Sequence, residues 1–251
     1  MQITVIGSGT CVPSLKRGSP CIMVDTGTSK ILLDTGPGSL RQLHKAGTNI
    51  KDIDYIMYSH FHIDHIADML PFIFASKYST ENTRTKDLII VGPAGLKTLY
   101  GYFKKAHGKW VVPEHFNIDW IEVGKDPIQF PSFLMKAAPT KHTENSMAIR
   151  IEDKRDKSIV YSGDTEYCSD LIMIAQKTDL LILECAFPEH MKNIGHLVPS
   201  IAGKIAKESQ CKKLLLTHFY PACEGQDLLT PLRSEYSGEA ILAEDFMKLS
   251  L

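Results

Sequence analysis

Ser59-His60-Phe61-His62-Ile63-Asp64-His65 gathers three histidines and one aspartate into six consecutive positions. Imidazole and carboxylate are the side chains that hold zinc and its neighbours. The stretch follows an apolar run, Asp54–Tyr58, that reads as a strand, and alternation in extended chain puts His60 and His62 on one side. Beyond it, Ile66, Met69, Leu70, Ile73 and Phe74 recur at helical spacing, so Ile66–Tyr78 reads as a helix whose apolar stripe is core packing. The turn into that helix can aim Asp64 and His65 back at the same spot. One ion can then take His60 and His62, and a second Asp64 and His65. Two ions need more than four ligands, and the missing ones should stand at strand ends. Three positions qualify: His142 beyond Phe133–Ala137, Asp164 in Ser162-Gly163-Asp164-Thr165 after Ser158–Tyr161, and His218 after Leu214-Leu215-Leu216-Thr217. Each alone suits a cap or a loop equally well; their shared placement favours ligation. His44, His107, His115 and His190 lack ligand spacing and read as surface residues.

The elements that must position these residues come in two similar runs. Strands are predicted at Gln2–Gly7, Cys21–Asp25, Lys30–Asp34, Asp54–Tyr58 and Leu88–Val91, with helices at Ser39–Ala46, Ile66–Tyr78 and Leu96–Ala106. The second run predicts strands at Ile118–Val123, Phe133–Ala137, Met147–Ile151, Ser158–Tyr161, Leu180–Leu183 and Lys213–Thr217. Its helices are Cys168–Gln176, Ser200–Ser209 and a final one over Ser237–Met247. No low-complexity linker divides them, so 1–251 is expected to be a single domain of two similar halves meeting near residue 130.

Composition narrows the classes. The chain has 251 residues, 28 Lys+Arg against 29 Asp+Glu, and 43% hydrophobic residues. Such a balance excludes a disordered chain, a collagen-like fibre and a coiled coil, and argues against strong non-specific binding to nucleic acid. The six cysteines show no CxxC pair, so free thiols in a reducing cytoplasm are expected. No signal peptide opens the chain and no window approaches a membrane span.

The ordered set His60, His62, Asp64, His65, His142, Asp164 and His218 resembles that of the metallo-β-lactamase superfamily. Gly7-Ser8-Gly9-Thr10 with Val12-Pro13-Ser14, Leu33-Asp34-Thr35-Gly36-Pro37-Gly38, Val91-Gly92-Pro93 and Leu216-Thr217-His218-Phe219 resemble the ribonuclease Z branch of phosphodiesterases. The resemblance covers nearly the whole chain. It implies an α/β fold, an αββα sandwich of two mixed sheets flanked by helices, with two metals at one edge. It also implies that His60, His62 and His142 hold one Zn²⁺, that Asp64, His65 and His218 hold the other, and that Asp164 bridges them; manganese or iron are alternatives. A dinuclear zinc-dependent hydrolase of this kind uses a metal-bridging hydroxide as nucleophile. Ile194-Gly195-His196-Leu197 resembles the branch's Gly-His motif, which makes His196 a general acid or charge stabiliser. Glu184, in a stretch similar to the branch's His-Glu-Ala-Thr-Phe, would orient it. The local pattern departs there, with Leu183, Cys185 and Ala186 in place of histidine, alanine and threonine. The catalytic residues expected are thus Asp64, His196 and Glu184.

Ribonuclease Z proper grips tRNA with a long arm, inserted in bacterial forms between the positions matching His142 and Asp164. Only 21 residues separate them here, and two strands joined by Glu152–Lys157 use up that length. The expected substrate is therefore a small phosphodiester or a short nucleic acid, cyclic nucleotides among them, and not folded tRNA. No membrane partner is expected, and a homodimer is compatible with the sequence. Lys97, Lys104, Lys105 and Lys109, interleaved with Tyr100, Tyr102 and Phe103, are either a solvated helix face or a nucleic-acid grip. The alternatives are tRNA 3′-end processing and an aryl sulfatase on the same scaffold. A β-lactam or thioester hydrolase fits the flanking stretches less well, and a non-enzymatic RNA-binding scaffold would have lost ligands.

Overall fold

The computed structural model describes residues 1–79 and 83–251. Its strands are β1 (Gln2–Gly7), β2 (Cys21–Asp25), β3 (Lys30–Leu33), β4 (Tyr55–Met57), β5 (Leu88–Gly92), β6 (Ile118–Glu122), β7 (Ile128–Gln129), β8 (Phe133–Pro139), β9 (Met147–Asp153), β10 (Ser158–Tyr161), β11 (Leu180–Glu184), β12 (Lys213–Thr217), β13 (Glu239–Leu242) and β14 (Lys248–Ser250). They form two seven-stranded sheets, ordered β14-β1-β2-β3-β4-β5-β6 and β13-β12-β11-β10-β9-β8-β7. In the first, β1, β2 and β3 run antiparallel, after which β3 to β6 are parallel. The second repeats the scheme: β7 to β10 are antiparallel and β10 to β13 parallel.

Side-chain alternation along the strands divides them between two cores. Ile31, Leu33, Tyr55 and Met57 face the core between the sheets, where Tyr55 meets Phe130 and Phe133 edge-on at 5.1 Å. Leu32 and Ile56 face the opposite way and pack under helices. The helices there are α1 (Ser39–Lys45), α3 (Met69–Tyr78) and α4 (Leu96–His107), through Leu43, Met69, Phe72, Ile73 and Leu96. The second sheet carries α5 (Ser169–Ile174), α6 (Pro199–Ser209) and α7 (Leu229–Arg233). Strands buried on both faces read as unbroken apolar runs, which is why Leu180–Leu183 and Leu214–Leu216 contain nothing polar.

Three expectations need correction. The helix predicted over Ile66–Tyr78 begins earlier, as α2 (Ile63–Ile66), and breaks before α3. At the break, the Asp68 carboxylate accepts the N–H groups of Gly38 and Leu40 at 3.1 and 2.9 Å, tying the helix start to the β3–α1 turn. Of the stripe, Ile66, Met69 and Ile73 face the core as expected, joined by Phe72, while Phe74 is 45% exposed. The final helix over Ser237–Met247 is absent: Glu239–Leu242 is strand β13, parallel to β12, and β14 then crosses back to pair with β1. A short apolar run bounded by turns fits strand or helix equally, and pairing decided it. Asp245, in the turn before β14, accepts from Ser8, Gly18 and Gln42, so that turn is anchored to the N-terminal loops.

Candidate metal centre

Nearly every residue named above for chemistry stands just beyond the carboxyl end of a strand, which in open α/β sheets is where ligands bind. His60 and His62 follow β4, His142 follows β8, Asp164 follows β10, Glu184 ends β11 and His218 follows β12. Asp64 and His65 lie in α2, which starts immediately after His62. The imidazole and carboxylate atoms assemble into overlapping groups, each with its atoms within 4.8 Å of one another: His60, His62, His142 and Asp164; Asp64, His65 and His218; and Asp164, His196 and His218.

Asp164, buried at 2% exposure, stands between the first two groups. Its Oδ2 lies 3.8 Å from His60 Nε2 and 3.6 Å from His142 Nε2. Its Oδ1 lies 3.2 Å from His65 Nε2 and 3.3 Å from His218 Nε2. Asp64 Oδ2 is 3.5 Å from His218 Nε2 and 3.9 Å from His65 Nε2. Ligand atoms set tetrahedrally at 2.0–2.1 Å from a zinc ion stand roughly 3.3 Å apart. Both groups are close to that spacing.

Hydrogen bonds behind the rings decide which nitrogens face inward. Asp34 is the hub of this outer layer, fully buried and left-handed at φ 59°. Its Oδ2 accepts from Ser59 Oγ, His65 Nδ1 and Tyr161 Oη, each at 2.7 Å, and its Oδ1 accepts from the Ser59 N–H. Ser59 has one hydroxyl proton, and Asp34 takes it. Ser59 Oγ must therefore accept from His60 Nδ1, 3.0 Å away, which leaves a lone pair on His60 Nε2. His142 Nδ1 donates to the Gly195 carbonyl at 2.8 Å, with the same consequence. His60 Nε2 and Asp164 Oδ1 are buried and have no hydrogen-bond partner among the described residues. A buried acceptor left without a donor is costly unless a cation lies beside it. The chemistry of this donor set fits divalent metal ions.

The electrostatics agree with that need. Burial and the neighbouring His65 push His60 down to about 2, so it is neutral. At His65 burial disfavours charge, but Asp164 and Asp34 outweigh it and raise its pKa well above the usual imidazole value. A proton or a metal ion can supply the positive charge those carboxylates favour. Two glycines permit the close approach. A Cβ on Gly36 would stand 2.0 Å from the Asp64 carbonyl oxygen, and one on Gly163, at φ +57°, 2.5 Å from Ser59 Cβ. His218 is itself left-handed at φ 63°, a conformation that tertiary structure must impose on a non-glycine residue.

Next to this cluster, His196 Nδ1 bonds Glu184 Oε1 at 3.0 Å. Glu184 is held in turn by the N–H groups of Thr165, Ala186 and Leu197. The His196 ring lies against His218, centroids 5.6 Å apart. Its burial disfavours charge, yet the Glu184 bond and the nearby carboxylates raise its pKa. Asp34 and Tyr161 are the site residues that the sequence reading left without a role. Asp34 lay inside a quoted motif, but only the fold brings Tyr161 to it.

His44, His107, His115 and His190 are exposed, as expected. So are Lys97, Lys104, Lys105 and Lys109. Of the interleaved aromatics, Tyr100 stacks on Trp120 at 4.1 Å and Phe103 packs on the core beneath α4, leaving Tyr102 beside the lysines. Met147–Asp153 and Ser158–Tyr161 form an antiparallel hairpin, so two strands and a tight turn take up most of the segment between His142 and Asp164. All six cysteines are free.

Known proteins share this architecture. The chain is 25% identical to ribonuclease Z of Archaeoglobus fulgidus, covering all of this chain and 97% of that one. It is 27% identical to the probable metallo-hydrolase YhfI of Bacillus subtilis, over 97% of each chain. The crystal structure of YhfI, a metallo-β-lactamase fold protein, superposes with a TM-score of 0.86 over 99% of this chain and 98% of that one, at 28% identity. Human tRNase Z, short form, superposes at 0.80 over 100% and 99%, at 23% identity, a likeness of fold. The chain is a metal-dependent hydrolase with the metallo-β-lactamase fold and ribonuclease Z-like relatives. A sequence profile described as Anti-Pycsar protein Apyc1 matches residues 1–227, and the chain belongs to that family.

Proposed function

We propose that the protein is a phosphodiesterase working with two divalent ions, zinc by preference for imidazole and carboxylate, on small phosphodiesters in the cytoplasm. The observation that carries the reading is the division of Asp164, with one oxygen toward His60 and His142 and the other toward His65 and His218. In this reading His60, His62 and His142 hold one ion, Asp64, His65 and His218 the other, and Asp164 both. Such a pair, when bound, supplies activated water and a clamp on both oxygens of an in-line displacement at phosphorus.

The chain's own groups do the rest. Asp34 and Gly195 fix the tautomers of His65 and His142, so their Nε2 atoms face inward. Glu184 holds His196 by Nδ1, which leaves the His196 Nε2 to give a proton to the departing alkoxide or to steady charge on the phosphate. Cyclic nucleotides are among the substrates of suitable size. Two observations favour small substrates: the short hairpin after His142, and the inward packing of Tyr100 and Phe103. The alignment with the A. fulgidus enzyme runs 307 positions against 251 residues here, so that relative carries stretches without counterpart in this chain.

Metal analysis of purified protein tests the assignment. Wild type should hold close to two transition-metal ions per chain and hydrolyse bis(p-nitrophenyl) phosphate. Asp64→Ala should lose mainly one ion, and Asp164→Ala should hold both weakly. A single ion, held equally firmly in wild type and Asp164→Ala, would remove the bridged pair.

A further inference from the structure

Glu166 follows Asp164 by two residues, and nothing above gives it a task. Its two carboxylate oxygens are divided. Oε1 accepts the Gly195 N–H at 2.9 Å, and Oε2 pairs with Lys141 Nζ at 2.6 Å. We infer that Glu166 is a positioning residue: it clamps the segment carrying Gly195 and His196 against the end of β8, and so fixes His142 and His196 relative to each other. The inference rests on the proposed function and adds to it the group that holds these two histidines in place.

The segment needs a clamp. Glu189 to Ile194 are all exposed. Among the described residues, hydrogen bonds tie 192–196 to the rest of the chain only at Gly195 and His196. A stretch with so little buried opens at low cost unless those bonds hold it. The bond from Glu184 fixes the His196 ring, not the backbone that carries it. The Gly195 backbone is held on both sides: its N–H donates to Glu166, and its carbonyl accepts from His142 Nδ1 at 2.8 Å. Gly195 is at φ +87°, and a Cβ there would stand 3.1 Å from His142 Nδ1, so glycine is what allows the approach.

The bonds close a circuit. The Glu166 N–H donates to the Lys141 carbonyl at 2.9 Å, His142 follows Lys141 and reaches Gly195, and Gly195 returns to Glu166. The ends of β8 and β10 and the loop before α6 are thereby joined around one carboxylate. The pair with Lys141, a side chain 67% exposed, is by itself a surface ion pair of small effect. The bond from Oε1 to a backbone N–H is charge-assisted, and it places the carbonyl behind His142. Partners behind a metal-binding histidine set the ring's orientation and its strength as a ligand.

Glu166→Ala and Glu166→Gln separate the clamp from the charge. Glutamine keeps an acceptor oxygen for the Gly195 N–H and loses the ion pair with Lys141. Hydrogen exchange at the Gly195 amide, followed by NMR on the purified protein, should quicken in Glu166→Ala and stay as in wild type in Glu166→Gln. In competition with a chelator, Glu166→Ala should release the ion assigned to His60, His62 and His142 about 10–100-fold more readily, the range for a lost partner behind a ligand, with the other ion unchanged. With zinc in excess, its kcat should fall more for alkyl diesters than for nitrophenyl ones, because His196 is displaced. Glu166→Gln should match wild type in both measurements. Unchanged exchange in Glu166→Ala, equal weakening of both ions, or a glutamine variant that behaves like the alanine one would overturn the clamp. If wild type binds metal but hydrolyses no diester, the phosphodiesterase reading fails, and exchange and metal release still decide the clamp.

Discussion

His196 is the residue whose role differs most from its neighbours'. Its Nδ1 is committed to Glu184, and Glu184 is immobilised by three backbone N–H groups. His196→Ala should therefore keep its metal content while turnover of alkyl diesters falls ~10²–10⁴-fold, the range of a general acid. The loss should shrink for nitrophenyl esters, whose leaving group needs no proton. Equal losses for both would assign His196 to phosphate binding instead. Most of the candidate cluster was legible because four of its residues fall within six positions and the other three each follow an apolar run. Asp34 was not legible as a hub. Its four bonds reach residues 25, 31 and 127 positions away, and nothing local distinguishes it from any aspartate in a turn.

At the scale of elements, strands buried on both faces and the N-terminal strand declared themselves, and the C-terminal end of the chain did not. Glu239–Leu242 is four residues long, too short for periodicity to separate strand from helix, and its partner β12 is more than twenty residues earlier. Packing between helices makes a sharper demand. A Cβ at Gly203 in α6 would stand 2.5 Å from the Leu232 carbonyl oxygen in α7, whereas at Gly101 in α4 it would meet nothing within 4 Å. Alanine is the better helix former by about 0.5–1 kcal/mol. Gly101→Ala should accordingly raise the melting temperature. Gly203→Ala should lower it, because overlap with backbone costs ~1–3 kcal/mol. Thermal unfolding of the two variants, side by side, checks the contrast.

Over the whole molecule, near-neutral charge and the short hairpin between β9 and β10 bear on which substrates can be held. Precursor tRNA should be cleaved weakly or not at all at physiological salt. Affinity for short diesters should fall with salt at a shallow slope, each neutralised phosphate adding roughly 0.7–0.9. Efficient cleavage at the tRNA 3′ end, with a steep slope that flattens when Lys104, Lys105 and Lys109 are neutralised, would make α4 a nucleic-acid grip. The ligand set also spans the sandwich. Four candidate ligands, His60, His62, Asp64 and His65, follow a strand of the first sheet, and three, His142, Asp164 and His218, follow strands of the second. Neither ion of the proposed pair can complete its shell from one sheet alone. A chain severed between Glu122 and Ile128 would thus yield two fragments that each bind metal poorly and together bind it well. The ions would then act as rivets between the layers, and their uptake would measure how far the sandwich has closed.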